Sequence, residues 1–392
     1  MKKKKEIFGL DLKAILSLLF VFAASFVLFY RYIFHLQTSD FIAHIEHSLR
    51  GIGYSINLFL IPLFYRLGNS YLPIVFLMAA LVVLTVIATA LFLKKIMELM
   101  GEEGDFSSLI VFSASLLFIC KLCIPEWSPY FYKTSLSTQP WHNSTYIEMR
   151  LFGTLTLMMY FIIRKDYLKK IEWKNLLLFF LFLFLTNMSK PNFVLCFAPV
   201  MLLVLIYDFI LSKGKSFKNA FCFGVVVLIA CIILLFQYRI MYPSDGSSTI
   251  VFSVQHAIDY VFSDKKFPLY YLLNFCFPLY VTYLFFKNRR KMSAFENKMM
   301  LEVWMMNILS LLVSMFITET GKRAGDGNYE WANAYFAYII FAVSMIVLKK
   351  MKKKGLIEEK EYVSAKNIYV LHVILGVFYF GLLVIGYLSW II

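Results

Sequence analysis

The sequence predicts an all-α protein, a polytopic bundle of transmembrane helices that forms one integral membrane domain over residues 1–392. Hydrophobic residues make up 60% of the chain and charged residues only 16%, whereas soluble chains carry charge at about a quarter of their positions. The apolar residues fall in runs long enough to cross a hydrocarbon layer of ~30 Å, which takes about 20 residues per helix. These observations exclude a soluble globular enzyme, a disordered chain and a disulfide-stapled secreted module.

Apolar run length predicts eleven membrane spans. The first follows Lys2–Lys5, and the small residues Ala23–Ser25 would suit a signal-peptide cleavage site. The apolar run continues past them through Phe26–Tyr30, so we expect an uncleaved first helix. The predicted spans are approximately 14–34, 71–93, 107–122, 147–163, 174–187, 193–212, 218–240, 267–286, 299–317, 331–348 and 367–390.

The net charge of +15 is unevenly distributed between the loops. If Met1 is cytoplasmic, most of the 39 Lys and Arg residues lie in inner segments, as the positive-inside rule requires. The charge therefore orients the chain in its membrane, with Met1 inside and Ile392 outside, and membrane lipid rather than nucleic acid is its expected partner. The external loops are predicted at about 35–70, 123–146, 187–192, 242–267 and 318–331, and they are expected to carry short amphipathic helices.

The external loops mix aromatic and polar residues, whereas the inner loops are mainly basic. In the first external loop, Asp40, His44 and His47 are spaced to share one face of a helix lying at the membrane surface. Asp40 is the candidate catalytic residue, with His44 and Glu46 as candidate substrate-binding residues. The alternative for Asp40 is a helix N-cap. A divalent cation stays open as a cofactor, since carboxylate and imidazole bind such ions, but no metal ligand is assigned.

Two further loops predict binding of sugar and phosphate. Gln139, Trp141, His142 and Asn143 combine aromatic rings with hydrogen-bonding groups, as sugar binding requires. The alternative for the aromatic residues is an interfacial belt. Lys190, in a tight turn between two spans, could hold a lipid phosphate, or it could simply extend its ammonium group to the membrane surface.

The last external loop combines three glycines with charged residues of both signs. Its candidate binding residues are Glu319, Lys322, Arg323 and Asp326. The planar guanidinium of Arg323 suits bidentate binding of phosphate, and glycines let the backbone fold closely around a ligand. The alternative is a solvated turn.

A first span with a basic cytoplasmic end, followed by an external loop with an acidic residue near its start, resembles the GT-C superfamily of polytopic glycosyltransferases. Asp40 matches the acidic position, and Asn57–Tyr71 is similar to the second membrane-lying stretch of such loops. Many members carry paired acids, whereas Asp40 stands alone. The resemblance implies a donor sugar linked to polyprenyl phosphate, and the loops are similar to those of bacterial cell-surface polysaccharide enzymes. It therefore implies a multi-pass protein of the bacterial cytoplasmic membrane that acts in cell-envelope polysaccharide biosynthesis.

The mechanism implied is inverting transfer of a sugar from the donor to a glycan or lipid-linked acceptor on the outer face. Asp40 would be the general base. Lys190, Lys322 and Arg323 would neutralise the leaving lipid phosphate, while Trp141, His142 and Asn143 would orient the sugar.

Two alternatives stay open: a lipid-linked oligosaccharide polymerase or ligase, and a glycolipid flippase or transporter. Transporters place ionisable residues near the bilayer midplane, often in broken helices. The spans predicted here put such residues towards span ends instead, and this disfavours transport. The residues in question are Asp208, Glu302 and His372 at inner ends and Arg31, Glu148 and Arg239 at outer ends.

Overall fold

The computed structural model describes residues 9–36, 40–53, 55–122, 139–141, 143–242, 248–262, 267–324 and 327–386, and it confirms the all-α prediction. The helices are α1 (Leu12–Arg31), α2 (Asp40–Leu49), α3 (Asn57–Gly68), α4 (Leu72–Leu99), α5 (Phe106–Ser115), α6 (Ser144–Asp166), α7 (Trp173–Ser189), α8 (Asn192–Leu211), α9 (Phe217–Met241), α10 (Val254–Phe262), α11 (Phe267–Lys287), α12 (Ala294–Phe316), α13 (Glu330–Lys353) and α14 (Glu359–Ile385). A π-helical turn, Tyr32–Leu36, extends α1.

Eight helices in the described part of the chain are long and apolar enough to cross a membrane: α1 with its π-helical turn, α4, α6, α8, α9, α12, α13 and α14. The other three predicted spans coincide with α5, α7 and α11, of which α5 and α7 are shorter apolar helices. Short helices also form where the loops were expected to carry them: α2 and α3 follow α1, and α10 follows α9.

Helix α13 lies at the centre of the bundle. Nearly all of its apolar stretch is buried, and α6 and α4 are the next most buried spans, whereas most residues of α1 and α9 are half-buried or exposed. Alanines at 332, 334, 337 and 342 keep the surface of α13 small. Small residues of this kind let helix backbones approach closely, which is how membrane helices gain packing energy.

Helix α5 ends inside the bundle, although the apolar run 107–122 predicted an uninterrupted span. A 3₁₀ turn, Leu116–Phe118, completes it, and an extended segment follows. In that segment Cys120 N donates a hydrogen bond to His372 O (3.4 Å). A Cβ atom on Gly376 of α14 would lie 1.4 Å from the Phe118 carbonyl oxygen, so only glycine allows this approach. Non-helical backbone is tolerated at this depth because it is buried in protein.

Two short strands join loops that are far apart in the sequence. β1 (Ile250–Phe252) pairs antiparallel with β2 (Ile317–Glu319), with Ile250 opposite Glu319. Both strands are rich in β-branched residues, which favour extended backbone. The pairing holds the loop after α9 against the segment that follows α12.

The two ends of the bundle differ in composition. We call the end that carries Arg164, Lys298 and Lys350 the basic end. Lys350 lies there between Glu296, with which it forms an ion pair, and the Met100 carbonyl oxygen, to which it donates a hydrogen bond (2.5 Å). We call the opposite end, which carries His44, Lys190 and Glu319, the loop end.

Candidate functional site

The first part of the candidate site lies where α2 and α3 meet the N-terminus of α6. Helix α2 begins at Asp40, whose side chain lies outside the described residues. One turn later, His44 Nδ1 is hydrogen-bonded to Ser144 Oγ (3.0 Å). Asn57 Nδ2, at the start of α3, donates to the same Ser144 oxygen (2.9 Å). Helix α2, which carries Asp40, is thereby docked on α6 through Ser144 and Asn57. Neither of these two residues was predicted from the sequence to belong to the site.

Asn143 is the N-cap of α6. Its Oδ1 accepts hydrogen bonds from Tyr146 N (3.1 Å) and Thr145 Oγ1 (2.8 Å). An Asn side chain in this position satisfies a backbone N–H group that the helix leaves free. Asn143 therefore has a structural role beside the predicted contact with sugar, while His142 lies outside the described residues.

Gln139 and Trp141 are turned into the protein. Trp141 is 1% exposed, and its ring centroid lies 4.9 Å from that of Phe380 and 5.8 Å from that of Phe118. Gln139 is also buried. In this conformation the indole packs on the end of the broken helix and on α14, so its faces contact protein.

Lys190 lies in the tight turn between α7 and α8. The residue is 6% exposed. Its Nζ donates to Asn143 Oδ1 (3.4 Å) and Thr145 Oγ1 (3.2 Å), and it lies 4.8 Å from the centroid of the Trp331 ring. Both hydrogen bonds are longer than the usual value of about 2.9–3.0 Å. These two hydrogen bonds are therefore weak, and the aromatic face of Trp331 adds a cation–π contact.

Glu148 is a carboxylate that the sequence analysis left outside the site. It lies on α6 one turn after Ser144 and is 0% exposed. Neither of its carboxylate oxygens has a hydrogen-bond partner among the described residues, and Lys190 is the cation close enough to interact with its charge. An acidic residue within an apolar helix is energetically costly and commonly functional. The position of Glu148 in an apolar run is therefore the feature of the sequence that could have identified it.

Glu319 connects the side chains of the last external loop. It accepts hydrogen bonds from Tyr242 Oη and from Asn328 Nδ2 (2.7 Å), and it forms an ion pair with Arg323 Nε (3.0 Å). Burial and the hydrogen bond to Glu319 raise the pKa of Tyr242 above its ordinary value, so the phenol stays protonated and donates. The guanidinium of Arg323 also lies 5.4 Å from the Tyr242 ring centroid.

The two parts of the site are connected. Asn192, two residues after Lys190, donates a hydrogen bond from Nδ2 to the Asn328 carbonyl oxygen. The Tyr146 and Trp331 rings, whose centroids lie 5.0 Å apart, link the start of α6 to the start of α13. His44, Asn143, Lys190, Glu319 and Arg323 thereby belong to one continuous cluster at the loop end.

The three remaining predicted residues also lie outside this cluster or outside the described residues. Glu46 is exposed on α2, with Arg50 Nη2 3.6 Å from one carboxylate oxygen. Lys322 is exposed in a single 3₁₀ turn, Gly321–Arg323. Asp326 is not among the described residues.

Metal binding was left open by the sequence. Among the described residues, no group of three or more His, Cys, Asp and Glu side chains is arranged to hold a metal ion. The side chains of Asp40 and His142 lie outside that set. A divalent cation therefore stays a prediction.

Comparisons with known proteins return no match to a family model, to a curated protein or to a solved structure. The functional assignment below depends on the chemistry and geometry of the side chains, together with the topological resemblance described above.

Proposed function

We propose that this chain is a membrane glycosyltransferase that transfers a sugar from a polyprenyl-phosphate-linked donor to a glycan or lipid-linked acceptor at the loop end. The observation that carries the proposal is the convergence there of polar residues from α2, the start of α6, the α7–α8 turn and the β2–α13 loop. A chain that only crosses the membrane has no need of such a cluster, because buried polar groups are costly in a bilayer. A lipid-borne substrate reaches this position from within the membrane.

Lys190 is assigned to the donor phosphate. An ammonium group is a compact charge with three donors, and its long contacts to Asn143 and Thr145 can be exchanged for shorter ones to an oxyanion. The Trp331 ring beneath it offers an apolar face for the prenyl chain or the sugar. Arg323 would add charge at the rim, although the ion pair with Glu319 already holds it in place.

The reaction is an inverting displacement. A carboxylate takes the proton of the acceptor hydroxyl, and the hydroxyl oxygen attacks the anomeric carbon from the face opposite the phosphate. The bond between that carbon and the phosphate oxygen breaks, and its electron pair leaves with the polyprenyl phosphate. General base catalysis of this kind contributes about 10²–10⁴-fold, and cations that stabilise the leaving oxyanion contribute further.

Asp40 is the proposed base. It begins α2, and His44 one turn later anchors this helix to Ser144 of α6, next to Thr145, which contacts Lys190. Glu148 is a further carboxylate next to the cluster. Its complete burial next to Lys190 suits a residue that adjusts the charge of the phosphate site.

The test uses the full-length protein in liposomes with a polyprenyl-phosphate-linked sugar, and it measures released polyprenyl phosphate. We expect Asp40→Asn to lower the release rate by about 10²–10⁴-fold while donor binding is kept, because the amide retains the shape but cannot take a proton. Asp105→Asn is the matched control: Asp105 caps α5 at the basic end, and Asn is also a good N-cap. No release by the unmodified protein, or equal rates for both variants, would contradict the proposal.

Transport is a second candidate function, favoured by one observation. His372 was expected near the inner end of a span, but it lies in the middle of α14, and its Nδ1 donates to the Cys120 carbonyl oxygen (2.6 Å) beside the helix break. Lys121, in the same extended segment, is 1% exposed. His372 and Lys121 are therefore buried ionisable residues next to a broken helix, an arrangement typical of transporters.

The same liposomes separate the candidate functions. A flippase moves the intact donor between leaflets without releasing polyprenyl phosphate, and His372→Ala would then abolish movement. A polymerase or ligase releases a lipid carrier but yields a product that contains several repeating units. A single-sugar transferase releases one carrier for each sugar added.

A further inference from the structure

A second polar site lies at the basic end, away from the cluster described above. It is a cavity of about 120 Å³ between the end of α6 and the start of α12, with room for about four water molecules at ~30 Å³ each. Three cations line it: Arg164, Lys165 and Lys298.

The acidic groups next to this cavity are already neutralised. Arg164 Nη1 lies 2.7 Å from Asp208 Oδ2, and Arg164 Nε lies 2.9 Å from Glu302 Oε1. Tyr160 Oη donates to the second oxygen of Glu302 (2.8 Å). Lys298 Nζ lies 3.3 Å from the second oxygen of Asp208. Every carboxylate oxygen of the two acids therefore has a partner, and two cations balance two acids.

The cavity has more hydrogen-bond donors than the two acids use. Lys165 is exposed at the rim and makes no ion pair with any described residue. Arg164 uses Nε and Nη1 on the acids, and its Nη2 makes no hydrogen bond to any described residue. The side chain of Lys298 is 39% exposed, which leaves ammonium protons for a ligand. The cavity thus carries one uncompensated positive charge and several donors, and this combination selects an oxyanion.

The rest of the lining is apolar. Phe161, Phe295 and Met299 form the wall between α6 and α12, and the exposed Leu168 lies at the edge. Apolar walls do not suit a small hydrated anion, but they match the glycerol and acyl carbons next to a lipid phosphate. Basic pockets at the ends of membrane helices recognise anionic head groups in this way.

We propose that this cavity binds the phosphate of an anionic phospholipid, with Arg164, Lys165 and Lys298 as donors and the walls of α6 and α12 against the acyl chain. Free inorganic phosphate offers the same oxyanion and is the alternative ligand. The experiment below distinguishes it from the lipid. The site is independent of the proposed glycosyl transfer.

The experiment measures binding to the full-length, delipidated protein in detergent by native mass spectrometry, with phosphatidylglycerol, phosphatidylcholine and inorganic phosphate as probes. The test variants are Lys165→Gln and the double variant Lys165→Gln/Lys298→Gln. Lys165 is exposed, so its substitution does not disturb folding even if the double variant does. Lys169→Gln/Lys170→Gln is the matched control, because it removes two exposed lysines of the neighbouring loop that do not line the cavity.

We expect phosphatidylglycerol to bind at least tenfold more tightly than phosphatidylcholine. The double variant should lose this preference, Lys165→Gln should weaken it, and Lys169→Gln/Lys170→Gln should keep it. Displacement of phosphatidylglycerol by millimolar phosphate would support the oxyanion site; saturation by phosphate with no lipid preference would overturn the lipid assignment. Equal binding of both lipids, or an equal loss in test and control variants, would overturn the proposal.

Discussion

The two ends of the bundle bury polar side chains in different ways. At the basic end, Arg164 is paired directly with Asp208 and Glu302 at 2.7 and 2.9 Å, and these contacts join α6, α8 and α12. At the loop end, Lys190 contacts the neutral oxygens of Asn143 and Thr145 at 3.4 and 3.2 Å. Short contacts between opposite charges fix helices in place, whereas long contacts to neutral oxygens are easily exchanged for a ligand.

Burial alone therefore does not identify a functional site. Arg164 and Lys190 are both almost completely buried, yet removing either should have different consequences. Loss of Arg164 leaves one buried carboxylate without a cation and the other with Lys298 alone, so stability should fall. Loss of Lys190 leaves neutral groups at its two hydrogen bonds but also takes away the cation next to Glu148. Substrate binding should therefore suffer, and stability should fall less than on loss of Arg164.

The largest expected effect is all-or-none and concerns which end faces outwards. In intact cells, a membrane-impermeant thiol reagent should label Asp326→Cys, in the predicted external loop 318–331. Lys353→Cys, at the basic end, should be labelled only after permeabilisation, because basic loops stay cytoplasmic. The reverse pattern would place the loop-end cluster inside the cell and contradict an external transferase.

Arg164→Met should cause the largest loss of stability. Removing one partner of a buried ion pair typically lowers the free energy of unfolding by about 3–5 kcal/mol. Here Arg164 forms ion pairs with two acids. Chemical denaturation in detergent should show this decrease in the free energy of unfolding. Lys169→Met is the control, because Lys169 is exposed and its charge is solvated. An equally stable Arg164→Met protein would remove the structural role assigned to the basic end.

Lys190→Met should affect turnover more than stability. A hydrogen bond to a charged group contributes about 1.5–3 kcal/mol, so we expect kcat/KM for the lipid donor to fall on the order of 10-fold to 100-fold. The free energy of unfolding should change less than in Arg164→Met. Lys190→Arg should retain part of the activity, since charge is kept. Unchanged kinetics would show that Lys190 only extends its charge to the membrane surface.

The smallest effect is expected for Arg323→Ala, with a rise in the apparent KM for the donor of at most about tenfold, because Arg323 is partly neutralised by Glu319. Arg323→Ala/Glu319→Gln separates two roles. If Arg323 only balances Glu319, the double variant should recover the KM of the unmodified protein; if Arg323 contacts phosphate, the KM should stay raised. Donor titrations at fixed acceptor concentration measure this.

The spans and the division into a basic and a polar end were predictable from the sequence, since both depend on local composition. The helix break was not. The run 107–122 contains no proline or glycine that would end a helix. The 3₁₀ turn after α5 ends at Phe118, whose carbonyl oxygen approaches α14 at Gly376, more than 250 residues later, where only glycine leaves room for it. The extended segment after this turn contacts His372 of α14 through Cys120, and this pairing was not predictable either.

The candidate site was predictable only as a set of separate loops. His44, Lys190 and Glu319 were selected from residue type and position, and the structure brings all three into one cluster. The sequence alone determined which segments are apolar enough to cross a membrane, because the free energy of insertion sums over one segment at a time. Only the tertiary structure decided that Ser144, Asn57 and Glu148 join the site and that Trp141 packs into the core, because such contacts depend on which distant segments meet.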